Sequence, residues 1–357
     1  MKKQYGIMLI GCGHIGQQHI EDIYYRDCVQ VIAVVDQDPE RARSFARRYN
    51  ALHFGTDYHA FLDDPQLDIA IIATYADSHL SILKDCLGAR LHVLCEKPIS
   101  SNLADGAAFY RLVRSSPHSK VLIAHILRHN HSYQTLARLI QEGAVGQLKL
   151  IRMVQNHHCL NWARYKRLME DCPPIVDCGV HYLDVMQWFS GSRITEVSGF
   201  STKIDADAPQ DNYGVINVRL ANGCIGYYEA GWSLNTASQN IKEFVGDQGR
   251  LTLTLQDFRQ ENKEEGDLIS LYSSRSGEYR TINVPAKYKD MYAQLQALIR
   301  MIEEDADPIP PLEDAFSAFY TALTAQAAIA RHTNLPCPTL EQVLSCPQAP
   351  LSLVEAG

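Results

Sequence analysis

Three short runs in this chain carry residue types whose spacing could do chemistry: Gly11-Cys-Gly-His-Ile-Gly16, Glu96-Lys97-Pro98 and Asp177-Cys-Gly-Val-His181. In the first, Gly11 suits a tight turn, Gly13 lets the backbone approach a pyrophosphate, and Gly16 permits close packing of a helix on a strand. A helix opening there offers unpaired N–H groups and a partial positive charge to phosphates. In the second, Lys97 could face a nicotinamide ring and a reacting carbon, or be an ordinary solvated lysine. In the third, Asp177 and His181 are spaced to share one helical face. They read equally as a base with its orienting carboxylate or as an N-cap aspartate followed by a core histidine.

The flanking segments supply what would position these groups. An apolar run over Gly6–Ile10 precedes the glycines, and a segment with Ile15, Ile20, Ile23 and Tyr24 at helical spacing follows. A second apolar run, Val29–Val35, closes on Asp36. A strand, glycine turn, helix, strand and acidic residue in that order make a dinucleotide-binding unit. A carboxylate at Asp36 accepts hydrogen bonds from the ribose hydroxyls of NAD and repels a 2′-phosphate. NAD is therefore favoured over NADP, with Asp38 adding negative charge and Arg41 and Arg43 partly offsetting it. Strands then alternate with helices through His125. Leu67–Thr74 has the continuous apolar character of a strand buried on both faces. Alternation of this kind predicts a doubly wound parallel sheet.

Near residue 126 the pattern changes to β-rich runs, with Asn222-Gly223 and Asp247-Gln-Gly249 placed as hairpin turns. The reading is an α/β chain: an N-terminal Rossmann doubly wound parallel sheet plus a C-terminal α+β domain with a large, mostly antiparallel open sheet. Expected boundaries are 1–125 for the NAD-binding domain, 126–335 for the second domain and 336–357 for an irregular tail.

Composition narrows the classes. Apolar residues make up 46% and the net charge is −8, which argues against nucleic acid or an anionic membrane as the main partner. Ten cysteines lie scattered without paired spacing, a usage that suits a reducing cytoplasm. Lys2-Lys3 before an apolar run superficially resembles a lipoprotein signal. The run is only Tyr5–Ile10, shorter than the roughly 7–15 residues such a segment needs. No later run is long enough to span a membrane.

The ordered set of motifs resembles the glucose–fructose oxidoreductase/inositol dehydrogenase (Gfo/Idh/MocA) family. The set comprises the glycine fingerprint, the acidic residue closing the second strand, E-K-P after the fifth, and D-x-x-x-H opening a helix in the second domain. The resemblance runs from about residue 5 to 335 and includes Glu142-Gly-Ala-Val-Gly146. It implies that Lys97 is the family's E-K-P lysine, His181 its acid/base and Asp177 the partner of that histidine. It also implies a cofactor site of Gly11, Gly13, His14, Ile15, Gly16, Asp36, Thr74, Glu96 and Lys97. The implied reaction is hydride transfer between nicotinamide and a secondary alcohol or ketone of a sugar, inositol or related polyol. The second sheet is expected to form a homodimer or homotetramer surface, as sheets in this family often pack between subunits.

The chain departs from the pattern in places. Thr74-Tyr75 stands where proline or a similar residue is common. Leu127-Arg-His-Asn-His131 stands where Arg-Arg-Phe-like runs are common, leaving Arg128 as the clear match. The run Asn156–Arg167 reads as a donor-rich loop, with Trp162, Arg164 and Lys166, alongside Arg128, as candidate substrate contacts. His125, His129, His131 and the His157-His158 pair could be drawn as a metal site, but histidine density fixes no ligand geometry, and none is expected. Two rival functions remain: a dihydrodiol- or other carbonyl-directed reductase, and a non-catalytic dinucleotide sensor. The presence of Lys97, Asp177 and His181 argues against the sensor.

Overall fold

The computed structural model describes residues 3–255, 266–285, 287 and 289–346. In the first half, β1 (Tyr5–Ile10), α1 (His14–Ile23), β2 (Val29–Val35), α2 (Pro39–Tyr49) and β3 (His53–Gly55) come in succession. They are followed by β4 (Ile69–Ile72), α3 (His79–Gly88), β5 (His92–Cys95), α4 (Leu103–Arg114) and β6 (Val121–Ile123). The strands form one six-stranded sheet in the order β3-β2-β1-β4-β5-β6, with every pairing parallel. Order reverses between β1 and β4, so the carboxyl ends of those strands flank the crevice where open α/β sheets bind ligands. All of β1 and β4 is buried, as strands covered by helices on both faces must be.

The second half holds α5 (His131–Gln141), β7 (Leu148–His158), α6 (Trp162–Asp171), α7 (Pro174–Asp177) and α8 (Gly179–Ser190). Then come β8 (Ile194–Thr202), β9 (Tyr213–Leu220), β10 (Ile225–Ser233), β11 (Gln239–Gly246), β12 (Gly249–Thr254), β13 (Asp267–Ser273) and β14 (Tyr279–Val284). Next are α9 (Met291–Glu304), α10 (Leu312–Ala330), β15 (Leu335–Pro336) and α11 (Leu340–Ser345). The nine-stranded sheet runs β14-β13-β12-β11-β7-β10-β9-β8-β15. It is antiparallel except at its centre, where β7 and β10 run parallel. Asn222-Gly223 turns β9 into β10, with Gly223 at φ +84°. Asp247-Gln248 turns β11 into β12. One face of the sheet packs on helices through Met153, Tyr228 and Phe244, all fully buried. The other face presents Phe200, Ile225 and Ile241 to solvent.

Three expectations need correction. The chain divides into two compact units, residues 1–126 with 289–316 and residues 127–288 with 317–357. The stretch 289–316, expected in the second domain, therefore belongs to the first unit. There α9 packs on α1 and β5 and places Leu295, Leu298 and Met301 in the same core as β1, β2 and β4. The tail is not wholly irregular: Leu335–Pro336 pairs with β8, and α11 carries a capping box from Thr339 and Gln342. The rest of that segment, 347–357, lies outside the described residues. Finally, the donor-rich run after Asn156 is not a loop. Asn156–His158 ends β7, and Trp162–Asp171 is helix, its start capped by the Asn161 side chain accepting from Arg164 N.

Candidate active site

In the first unit the fingerprint glycines meet three different steric demands. Gly11 sits at φ +98°, and a Cβ there would lie 2.5 Å from the Ala73 carbonyl oxygen. At Gly16 a Cβ would stand 2.0 Å from the Gly11 carbonyl oxygen, whereas at Gly13 it would meet nothing within 4 Å. Gly11 makes the turn, Gly16 lets α1 lie on β1, and Gly13 leaves open space where a pyrophosphate would approach. Gly13 is also the N-cap of α1 and supplies no side chain to the helix N-terminus. That end, with His14 exposed and Ile15 half-buried, suits a dinucleotide.

Asp36 is held in place by the same turn. Its Oδ2 accepts Cys12 N–H at 2.8 Å, its Oδ1 accepts Asp38 N–H at 2.9 Å, and Arg41 Nη1 lies 3.3 Å from Oδ1. Arg41 also reaches Asp38 at 3.5 Å, so a guanidinium stands at the ribose-reading position beside the carboxylate. Thr74 follows β4 and accepts from Ser78 Oγ at 2.7 Å, and Tyr75 beside it is exposed. Past β5, Lys97 is half-buried. The ends of β1, β4 and β5, neighbours in the sheet, therefore bring Gly11, Thr74 and Lys97 to one edge.

Glu96, expected at the cofactor, is buried instead and turned into the protein. Its Oε1 lies 2.7 Å from Nε2 of His19, itself wholly buried, and its Oε2 accepts Lys97 N–H at 3.2 Å. His19 escaped the sequence reading. Its only signal is a polar residue on the buried face of α1.

In the second unit, Asp177 ends α7 and His181 lies in the first turn of α8. The expected single helix is interrupted at Cys178: His181 N–H reaches the Cys178 carbonyl at 3.1 Å rather than that of Asp177. Both side chains are half-buried. The segment is pinned to the sheet from below. Tyr228 donates its hydroxyl to the Ile175 carbonyl, and a Cβ on Gly179 would come within 2.3 Å of that hydroxyl oxygen. Tyr182 donates to Gln155 Oε1. Lys242, on the helix-facing side of β11, is buried with its Nζ 4.7 Å from the Tyr182 ring centroid. It donates to Val154 O at 2.9 Å, Asn240 Oδ1 at 2.6 Å and Ile241 O at 3.2 Å. Burial pushes its pKa down to about 7, with the Cys178 thiol pulling weakly the other way.

The expected substrate contacts fare differently. Arg128 is buried, its Nε and Nη2 forming a two-pronged pair with Asp184 at 2.8 and 2.7 Å, and it stacks 4.6 Å from the Trp188 ring. Trp162 Nε1 and Lys166 Nζ both donate to Asp207 Oδ2 at 3.0 Å. Arg164 lies over Tyr165 at 5.7 Å. The Arg128, Trp162 and Lys166 heads are thus engaged with Asp184 and Asp207. An aromatic cluster of His157, Tyr165 and Trp232, with ring centres 6.2 and 5.5 Å apart, stands at the carboxyl ends of β7 and β10. Among the described residues no group of three or more His, Cys, Asp or Glu could hold a metal ion.

Residues 5–125 match the model of an oxidoreductase family with an NAD-binding Rossmann fold, and residues 133–252 match that of the Gfo/Idh/MocA C-terminal domain. The chain belongs to the Gfo/Idh/MocA oxidoreductases. Among Gfo/Idh/MocA relatives, it is 23% identical to a myo-inositol 2-dehydrogenase of Thermotoga maritima, over 95% of this chain and 99% of that one. It is 25% identical to an inositol 2-dehydrogenase of Acidothermus cellulolyticus, over 69% and 72%. Its fold is shared with myo-inositol 2-dehydrogenase from Lactobacillus plantarum (TM-score 0.80, 16% identity, covering 94% of this chain and 100% of that one). It is also shared with scyllo-inositol dehydrogenase from Lactobacillus casei bearing NAD(H) and scyllo-inositol (TM-score 0.77, 18% identity, 94% and 99%).

Proposed function

We propose that this oxidoreductase transfers hydride between NAD and a secondary alcohol or ketone of an inositol, sugar or related polyol. The observation that carries the reading is the single sheet edge that collects the phosphate turn, the ribose-reading Asp36 and Lys97. When bound, the nicotinamide accepts the hydride. His181 receives the hydroxyl proton, Asp177 holds its ring in the needed tautomer, and Lys97 assists at the reacting oxygen. In the reverse direction the same groups return the proton to the forming alkoxide. Positioned groups of this kind are worth about 10²–10⁴-fold in rate. The His157 and Tyr165 rings, backed by buried Trp232, offer apolar surface to the C–H side of a polyol ring.

Asp36, fixed by two backbone N–H groups, supports NAD over NADP. The exposed Phe200, Ile225 and Ile241 on the open sheet face support packing against a second copy of the chain. Ten cysteines, none of the described ones bridged, support a reducing compartment.

The test is absorbance of reduced nicotinamide across inositols, aldoses and sugar acids, for the natural chain and for Lys97→Met. Turnover with a polyol and NAD, lost by about 10²-fold or more in the variant while NAD still binds, is the expected result. Full turnover in Lys97→Met would refute the mechanism.

A further inference from the structure

Glu96 has no direct part in the chemistry above, yet it is a buried carboxylate in the first unit. A lone carboxylate in such surroundings would be driven to its neutral form. Burial does push the Glu96 carboxyl up, but the His19 hydrogen bond and the positive potential of His19, Lys97 and Lys289 outweigh it and hold the group below its ordinary value. The carboxylate is thus kept charged directly behind Lys97, with one oxygen on His19 and the other on the Lys97 backbone N–H.

His19 is equally committed. Its Nε2 faces Glu96, so that nitrogen carries the proton, while its buried Nδ1 has no hydrogen-bond partner. Such an arrangement fixes one ring orientation and one donor direction. Its helix, α1, is the one that opens on the phosphate turn, so the contact links the cofactor-binding helix to the lysine at the end of β5. The charged or titratable groups around Glu96 are His19 on α1, Cys95 at the end of β5, Lys97 next in the chain, Lys289 ahead of α9, and His79 on α3. His79 is itself buried between the carbonyls of Pro98 and Thr74, at 3.0 and 3.2 Å, and burial pushes its pKa down.

We propose that His19 and Glu96 form a buried positioning pair that fixes both the placement and the electrostatic setting of Lys97. This rests on the reading of Lys97 as the proton-handling lysine. Neither residue touches the reacting atoms. Glu96 supplies a fixed negative charge that favours the ammonium form of its neighbour, and His19 holds that charge in place.

The experiment uses the full chain and two readouts. Without cofactor, lysines are reductively methylated with ¹³C-formaldehyde and titrated by NMR, the Lys97 resonance being assigned by its loss in Lys97→Met. Glu96→Gln is expected to lower the Lys97 midpoint by about one pH unit. With NAD and polyol, Glu96→Gln and His19→Leu are expected to lose about tenfold or more in kcat, with NAD affinity within about threefold of the natural chain. His19→Gln, which keeps an N–H toward Glu96, should restore kcat to within about threefold. An unmoved Lys97 midpoint in Glu96→Gln overturns the proposal. So does equal loss in His19→Gln and His19→Leu, which remains decisive if Glu96→Gln does not fold. Lys97→Met separates the two readings. If it keeps full turnover, the role of the lysine falls; if it is inactive while Glu96→Gln and His19→Leu behave as the natural chain, only the pair does.

Discussion

Replacing Lys242 by methionine should make the second unit more stable at neutral and acidic pH. An unfolded lysine holds its proton to about 10.4, whereas burial lowers that of Lys242 from 10.5 to about 7. Below pH 7 both states are protonated, and the folded one carries the whole cost of a buried ammonium. Between 7 and 10.5 the folded lysine sheds its proton first, so stability rises with pH and the cost vanishes above that window. A drop of this size corresponds to about 5 kcal/mol at pH 6. Methionine removes that cost but leaves Asn240 Oδ1 and the two carbonyls without the ammonium, a loss of about 1–3 kcal/mol. With that loss taken as about 2 kcal/mol, the variant should gain about 3 kcal/mol at pH 6, reach parity near pH 9 and fall below the natural chain beyond it. Urea melts followed by tryptophan fluorescence suit the question. The only three tryptophans, Trp162, Trp188 and Trp232, all lie in the second unit. A difference between the two chains that stays constant from pH 6 to 9 would refute the reasoning.

Three further outcomes are expected. Asp36→Ala removes the carboxylate that repels a 2′-phosphate and frees Arg41, so the NADP-to-NAD ratio of kcat/KM should rise about tenfold or more; an unchanged ratio would remove Asp36 from cofactor choice. Arg128→Ala removes the two-pronged guanidinium partner of buried Asp184, and urea melts should show a loss of about 3–5 kcal/mol; a loss under about 1 kcal/mol would mean the pair is idle. Gly16→Ala drives a methyl into the Gly11 carbonyl, so calorimetric titration should find NAD binding weakened about 100-fold, and near-natural affinity would show that the turn can shift.

What the sequence made legible were features set by local backbone demands or by strand burial. The glycine turn, Asp36, the parallel strands and the hairpin at Asn222-Gly223 each follow from a few adjacent residues. What stayed hidden was decided by partners far along the chain. The sequence does not report that Asp184, on another helix, pairs with the Arg128 guanidinium. Nor does it report that His19 meets Glu96 from α1. The α6 segment misreads as a loop because its charged, donor-rich face dominates and Met169 alone is buried. The parallel pairing of β7 with β10 depends on a long connection through two other strands, which no local pattern reports.

The return of α9 into the first unit has a consequence for how the chain matures. Leu295 and Leu298 are wholly buried in a core otherwise built from the first half of the sequence. On the ribosome, that core cannot close until nearly two hundred further residues have been made. During this interval the nascent dinucleotide-binding sheet stands with one apolar flank uncovered, a state prone to chaperone capture and self-association. The same geometry means that a fragment ending at residue 125 lacks a wall of its own interior. A soluble excised version needs residues 289–316 rejoined through a short linker.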